Sequence, residues 1–261
     1  MAHLEGNFVE KEMLAAVVEA KMGDAIKLYP LTKVVAVEAG AGATIQIPKV
    51  GYIGDAIDVE AGGEIKCSDM TQTIVDAKVK KVAKGVKFTE EDLINAHMDV
   101  QGNAEKQILK AIANKVEKDL FAELAKATLT ATIATLDVDG LADAIVPFGE
   151  DIEEPMFLLV NPADLAVLRK DDNFIVNAGF GEGKIASAGQ IFGMEVVVTN
   201  AVPAKTAYIL KEEAVALYMK KAVKVEDMKD IHTQTYHVLA TQHYVAVLND
   251  ETKVVKVTIG A

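Results

Sequence analysis

NAEKQILKAIANKVEKDLFAELAKA, residues 103–127, contains no proline and no internal glycine. Ala, Leu, Lys and Glu, all strong helix formers, supply most of it. Ile108, Ile112, Val116, Leu120 and Leu124 recur every fourth residue, and Leu109, Ala113 and Phe121 widen the stripe. Lys106, Lys110, Glu117, Lys118 and Glu123 lie mostly off it. The period predicts one amphipathic helix with a single buried face. At about 1.5 Å per residue it would be ~38 Å long, a rod that needs something extended along its side.

The flanking chain supplies extended segments. Residues 9–22 carry Met13, Leu14, Val17, Val18 and Met22 at helical spacing, behind a polar start that predicts an N-terminal arm over 1–29. Residues 28–37 are predicted extended through Pro30. TIQIPKV at 44–50 alternates apolar and polar, the mark of a half-exposed strand. A glycine-rich stretch follows, and Val75, Ala77, Val79, Val82 and Val86 then read as a returning strand. The whole predicts a long two-stranded hairpin, a form marginally stable by itself in water. Thr89 is placed to cap a short helix, with Glu90, Glu91 and Asp92 in its first turn.

From residue 129 the composition changes. MFLLV at 156–160 is a continuous apolar run of buried-strand type, and Asn161-Pro162 turns straight into a helix. Further strands are predicted over 194–199, 207–210 and 214–219. Strands at 237–248 and 253–259 flank Asn249-Asp250-Glu251, read as a tight hairpin turn. These predict a sheet under the long helix, an α+β core with the middle of the chain inserted as an α/β unit.

Bulk properties narrow the function. The 261 residues carry a net charge of −12, and Arg169 is the single arginine. Sequence-reading DNA-binding proteins lean on arginine and basic patches, so direct readout is disfavoured. Cys67 stands alone, excluding an internal disulfide framework. No run reaches the roughly 18 apolar residues of a membrane span, and the first residues lack the regions of a signal peptide.

The search for chemistry comes back empty. Gly179 to Lys184 mimics a phosphate loop, but Ala178 and Ile185 stand where a glycine and a Ser or Thr are required. His3, His97, His232, His237 and His243 have no acid or cysteine at metal spacing, and on a strand His237 and His243 would share a face with His232 on the other. Asp151, Glu153 and Glu154 form an acidic run explained by a solvated loop, and Cys67 has no histidine nearby. No catalytic residue, cofactor-binding residue, metal ligand or cofactor is assigned.

Taken in order, the elements are arm, glycine-tipped hairpin, capped short helix, long helix, α/β insertion and C-terminal strands. This order resembles the major capsid protein of tailed bacteriophages, a fold shared with encapsulins. GATIQIPKVGYIGDA is similar to the strand entering that family's extended loop, and AKVKKVAKGVKFTEEDL to the return strand and first helix. LVNPADLAVLRKD and GQIFGMEVVVTNAVP resemble its axial domain, and AYILKEEAVALYMKKAVKVEDMKD its late strands.

The resemblance implies an arm (1–29), a peripheral domain (30–128) with an extension loop near 50–73 and the spine helix at 103–127, an axial domain (129–211), and returning peripheral strands (212–261). It implies that Tyr52, Ile53, Ile57, Val59 and Ile65 touch a neighbouring subunit. The implied function is a non-enzymatic structural subunit that self-assembles into pentamers and hexamers of an icosahedral virion shell enclosing double-stranded DNA, built in the host bacterial cytoplasm. Its partners would be further copies of itself, a portal, and separate scaffolding or decoration proteins, with enclosed DNA bound without sequence preference and no membrane. The chain is too short for the removable scaffolding segment of many members, and Lys66 has no matched partner for the covalent links of others. Two alternatives remain: an encapsulin-type nanocompartment shell, and a small-molecule enzyme using the α/β insertion.

Overall fold

A computed structural model describes residues 26–38, 42–50, 72–96, 99–150, 154–171, 174 and 188–260, together with the isolated residues 56, 58, 59 and 67. The expected helix at 9–22 and the glycine cluster at 179–184 lie outside the described residues.

The long helix, here α2, spans Val100–Leu124, with the short helix α1 at Glu90–Asn95 before it. It starts earlier than the stripe implied. The Asp99 carboxylate accepts from the Gly102 amide at 2.9 Å, so the first turn is capped and tolerates its glycine. Ile108, Ile112, Val116, Leu120 and Leu124 are all buried, as their spacing predicts. Thr89 caps α1 through a reciprocal box. Its hydroxyl accepts from the Asp92 amide at 3.2 Å, and the Asp92 carboxylate accepts from the Thr89 amide at 2.9 Å. The Asp92 carboxylate accepts from the Thr89 hydroxyl as well, at 2.8 Å, and these bonds from the Thr89 amide and hydroxyl hold its carboxyl below the usual carboxylate range.

The strands are β1 (Lys33–Ala36), β2 (Thr44–Val50), β3 (Gln72–Lys78), β4 (Lys80–Thr89), β5 (Leu129–Ile133), β6 (Met156–Val160), β7 (Gly189–Ile191), β8 (Met194–Val198), β9 (Thr206–Lys211), β10 (Val215–Asp230), β11 (Thr235–Leu248) and β12 (Val254–Ile259). Two further helices, α3 (Val138–Ile145) and α4 (Pro162–Leu168), belong to the middle of the chain. Three sheets result: a four-stranded one ordered β1-β10-β11-β4, a six-stranded one ordered β5-β12-β9-β6-β8-β7, and the β2-β3 ribbon.

Four expectations need correction. Residues 28–37 are not one extended run. Tyr29–Leu31 is a single 3-10 turn with Pro30 in its first positions, where a missing N–H costs nothing. The returning strand is not one strand: it breaks at Val79, β3 completing the ribbon and β4 entering the four-stranded sheet against β11. The short strand expected over 214–219 continues to Asp230, with register irregularities between Met219 and Lys224 absorbing the bend. Finally, Asn249-Asp250-Glu251 does not close a hairpin. The Asp250 carboxylate accepts from the Thr252 amide at 2.9 Å and holds a short 3-10 turn, and the chain crosses to the other sheet. There β12 lies between β5 and β9. Residues 254–259 therefore stand in one sheet with strands of the 129–211 stretch and apart from β10 and β11.

The two larger sheets share the core but are covered differently. Along β11, Val238, Ala240, Tyr244, Ala246 and Leu248 face α2 in the main cluster. Val245 and Val247, on the opposite face, pack with Ile47 and Ala77 of the ribbon. In the six-stranded sheet alternate residues of β6 enter opposite clusters: Phe157 and Leu159 the one shared with α2, Leu158 and Val160 the one with α3 and α4. That sheet is apolar on both faces, which is why MFLLV reads as an unbroken hydrophobic run.

Candidate subunit-contact site

The ribbon is fixed at its root and open beyond it. At the root, the Val79 amide donates to the Ala43 carbonyl at 2.9 Å, and the Lys220 ammonium donates to the Gly42 carbonyl. Ile47 and Ala77 are buried against Val245 and Val247. Lys49 then meets Glu251 at 3.0 Å, beside the turn that leaves β11. Gln72, Thr73 and Ile74 are exposed although pairing continues to Val50 and Gln72, and Ile74 is 55 % exposed. A half-exposed apolar side chain on a two-stranded ribbon is a surface that a partner can cover.

Residues 51–71 connect β2 to β3. Of the contact candidates, Tyr52, Ile53, Ile57 and Ile65 lie outside the described residues. Val59 is described and is 41 % exposed. Ala56, Asp58 and the free Cys67 are exposed as well.

Polar groups elsewhere serve the fold. Asp119, buried on α2, is the centre of a polar cluster. Its carboxylate accepts from the Tyr244 hydroxyl at 2.6 Å, from Lys80 at 2.7 Å and from Lys115 at 2.9 Å. Burial opposes ionisation of Asp119, but Lys80, Tyr244 and Lys115 outweigh it and hold the carboxyl below its ordinary range. The Tyr244 hydroxyl is pushed up by burial and by the adjacent carboxylate. The cluster ties helix to sheet across 125 positions of sequence. Sequence reading missed it, because an Asp on a helix and a Tyr on a distant strand carry no local signature.

The sequence candidates for chemistry fare the same way. His232 lies in the turn between β10 and β11 and not on a strand, while His237 and His243 share one face of β11. Glu154 pairs with Lys253 at 3.0 Å; Asp151 and Glu153 lie outside the described residues. Among the described residues no group of three His, Cys, Asp or Glu side chains is arranged to hold a metal. No helix among them is long and apolar enough to cross a membrane.

Comparison with known proteins supplies the family. The family model described as phage capsid protein matches residues 72–257. A major capsid protein of Staphylococcus phage phiMR11 is 34 % identical over 260 residues, spanning 98 % of this chain and 95 % of that one. The head structure of Helicobacter pylori bacteriophage KHP40 superposes with a TM-score of 0.71 at 9 % identity, covering 90 % of each chain. The capsid of cyanophage P-SCSP1u gives a TM-score of 0.70 at 16 % identity, covering 88 % of this chain and 86 % of that one. At such identities the solved structures speak for the α+β capsid fold, whereas the family model and the phage relative speak for descent. Neither favours the nanocompartment or the small-molecule enzyme. The chain belongs to the phage capsid protein family, and it is a structural, non-enzymatic subunit of a virion capsid that assembles with copies of itself.

Proposed function

We propose that this subunit forms the pentamers and hexamers of an icosahedral shell enclosing double-stranded DNA, and that residues 50–73 are the extension loop by which each copy covers the next. Tyr52, Ile53, Ile57, Val59 and Ile65 are the contact residues of that loop. The observation carrying the reading is the ribbon: paired to its last described residues, rooted by Ile47 and Ala77, and exposed beyond. Past its root such a ribbon gains little in a monomer and much in a ring, where many weak contacts close by symmetry.

In this reading residues 1–29 are an arm, and residues 30–128 and 212–248 form the peripheral body around α2. Residues 129–211 with β12 form the axial body, the assignment favoured by the shared six-stranded sheet. The net charge of −12 fits a container filled by a motor through a portal, with DNA held by confinement and not by attraction. Scaffolding or decoration proteins act as separate chains.

Electron microscopy of the purified protein tests the proposal. Rings of five and six, or closed shells, are the predicted result. Monomers alone at millimolar concentration, in every buffer tried, would refute it.

A further inference from the structure

The buried and the exposed faces of α2 follow the same step of four residues. Ile108, Ile112, Val116, Leu120 and Leu124 hold the helix to the core, and Lys106, Lys110, Asn114, Lys118 and Ala122 form a row on its far side, every one of them exposed. Every exposed residue of α2 is Lys, Asn, Gln or Ala. The four acids of the helix are half-buried or buried, and all are engaged. Glu105 accepts from Gln101 at 3.5 Å, Glu117 from the Thr199 hydroxyl at 3.2 Å, and Glu123 from Lys126 at 2.7 Å. Asp119 is shared by Tyr244, Lys80 and Lys115, so two ammonium groups beside the row answer one carboxylate. Lys106, Lys110 and Lys118 make no ion pair with any described residue. A chain of net charge −12 thus carries a helix face whose exposed polar groups are ammonium and amide.

Resting on the reading that the shell encloses double-stranded DNA, we propose that this row is the surface by which the subunit touches the enclosed DNA, through its phosphates. The chemistry selects that partner. None of the large apolar side chains exposed among the described residues lies on α2, whereas a protein interface is built on a desolvated apolar centre. Lys, Asn and Gln contact phosphate oxygens without reading bases. The helix has no arginine, the side chain that grips phosphate by a rigid fork. A hydrated ammonium on a flexible stem holds by charge, and contacts of that kind let a duplex slide as the shell fills or empties. The length fits as well. From Lys106 to Lys118 the row runs about 18 Å, beside about five phosphates of one strand. The chain as a whole repels DNA, so confinement keeps the duplex inside, and the row is where the wall meets it.

Lysine acetylation read by mass spectrometry tests this on the full chain. In DNA-filled shells Lys106, Lys110 and Lys118 should react at least about tenfold more slowly than in shells that have released their DNA. Lys81, Lys84 and Lys87, exposed on β4, should react alike in both. Equal rates for the row in the two kinds of shell overturn the inference. So does a row already protected in free subunits or in DNA-free shells, which would mean that a protein segment lies over it. A second readout needs no shell. Free subunits should bind a short random-sequence duplex at low salt, and K106Q/K110Q/K118Q should lower the salt slope by about 2.7, at about 0.9 for each lost phosphate contact. Glutamine keeps the helix propensity of lysine, and thermal unfolding verifies the fold. K81Q/K84Q/K87Q removes the same charge from β4 and should leave the slope unchanged. Equal effects of the two triple variants would make the binding a matter of net charge and overturn the inference, as would a parent that binds no duplex. Shells that never form would count against the proposed function itself, whereas shells that form and fill with the row unprotected count only against this contact.

Discussion

The six-stranded sheet is finished by its own chain, and the four-stranded sheet is not. In the first, β6, β8 and β9 are buried nearly end to end, with apolar side chains on both faces and helices among their covers. In the second, α2 covers one face, the ribbon root covers a corner of the other, and the far half of β10 is mostly exposed. Sheets need two covered faces unless one is meant for water or for a partner. The first sheet therefore behaves as an ordinary domain core. The second displays lysines, a leucine and a methionine on its exposed half.

Substitution should separate the two. L158A, at a fully buried position of β6, opens a cavity in a surface closed on both sides. A loss of about 2–5 kcal/mol is expected in denaturant unfolding. If L239A on the open face cost as much in the free subunit, the contrast would be false. D119A removes the acceptor of a buried tyrosine hydroxyl while Lys80 and Lys115 can turn to water, so about 2–3 kcal/mol is expected. T89A deletes one side of the capping box at the edge of the open sheet and should cost about 1 kcal/mol. L239A itself should fall within about 0.5 kcal/mol of the parent in the free subunit, yet lower shell yield.

Acid sharpens the same contrast. Asp119 has a folded pKa below its ordinary value of 3.8, so the unfolded chain binds the proton more readily. Its contribution is present above pH of about 4 and fades as pH falls through the folded value. D119N should flatten that part of the stability profile in urea titrations run at successive pH values.

Legibility in the sequence follows the same division. The stripe of α2 and the run MFLLV were readable because burial on one face, or on both, leaves a period in the residues themselves. The break at Val79 was not. β3 and β4 alternate with the same period, and nothing in KVKKV says that the first strand serves the ribbon and the second a different sheet. Asn249-Asp250-Glu251 has the composition of a turn and makes one, but turn chemistry fixes a bend and not the strand that lies beyond it. The extension loop proposed for residues 50–73 rests on resemblance, and the open face of the four-stranded sheet has no signature in the sequence. Lys81, Lys221, Leu239 and Met228 converge only after β10 and β11 have paired with β4.

Hydrogen exchange in free subunits and in assembled shells tests most directly whether copies complete one another. The amides of β2 and β3 should exchange rapidly in the free subunit, since a two-stranded ribbon is marginal by itself, and become strongly protected in the shell. Those of β6 and β9 should be protected equally in both. A ribbon already as protected in the free subunit as β6 would contradict the account, because nothing would remain for a neighbour to complete.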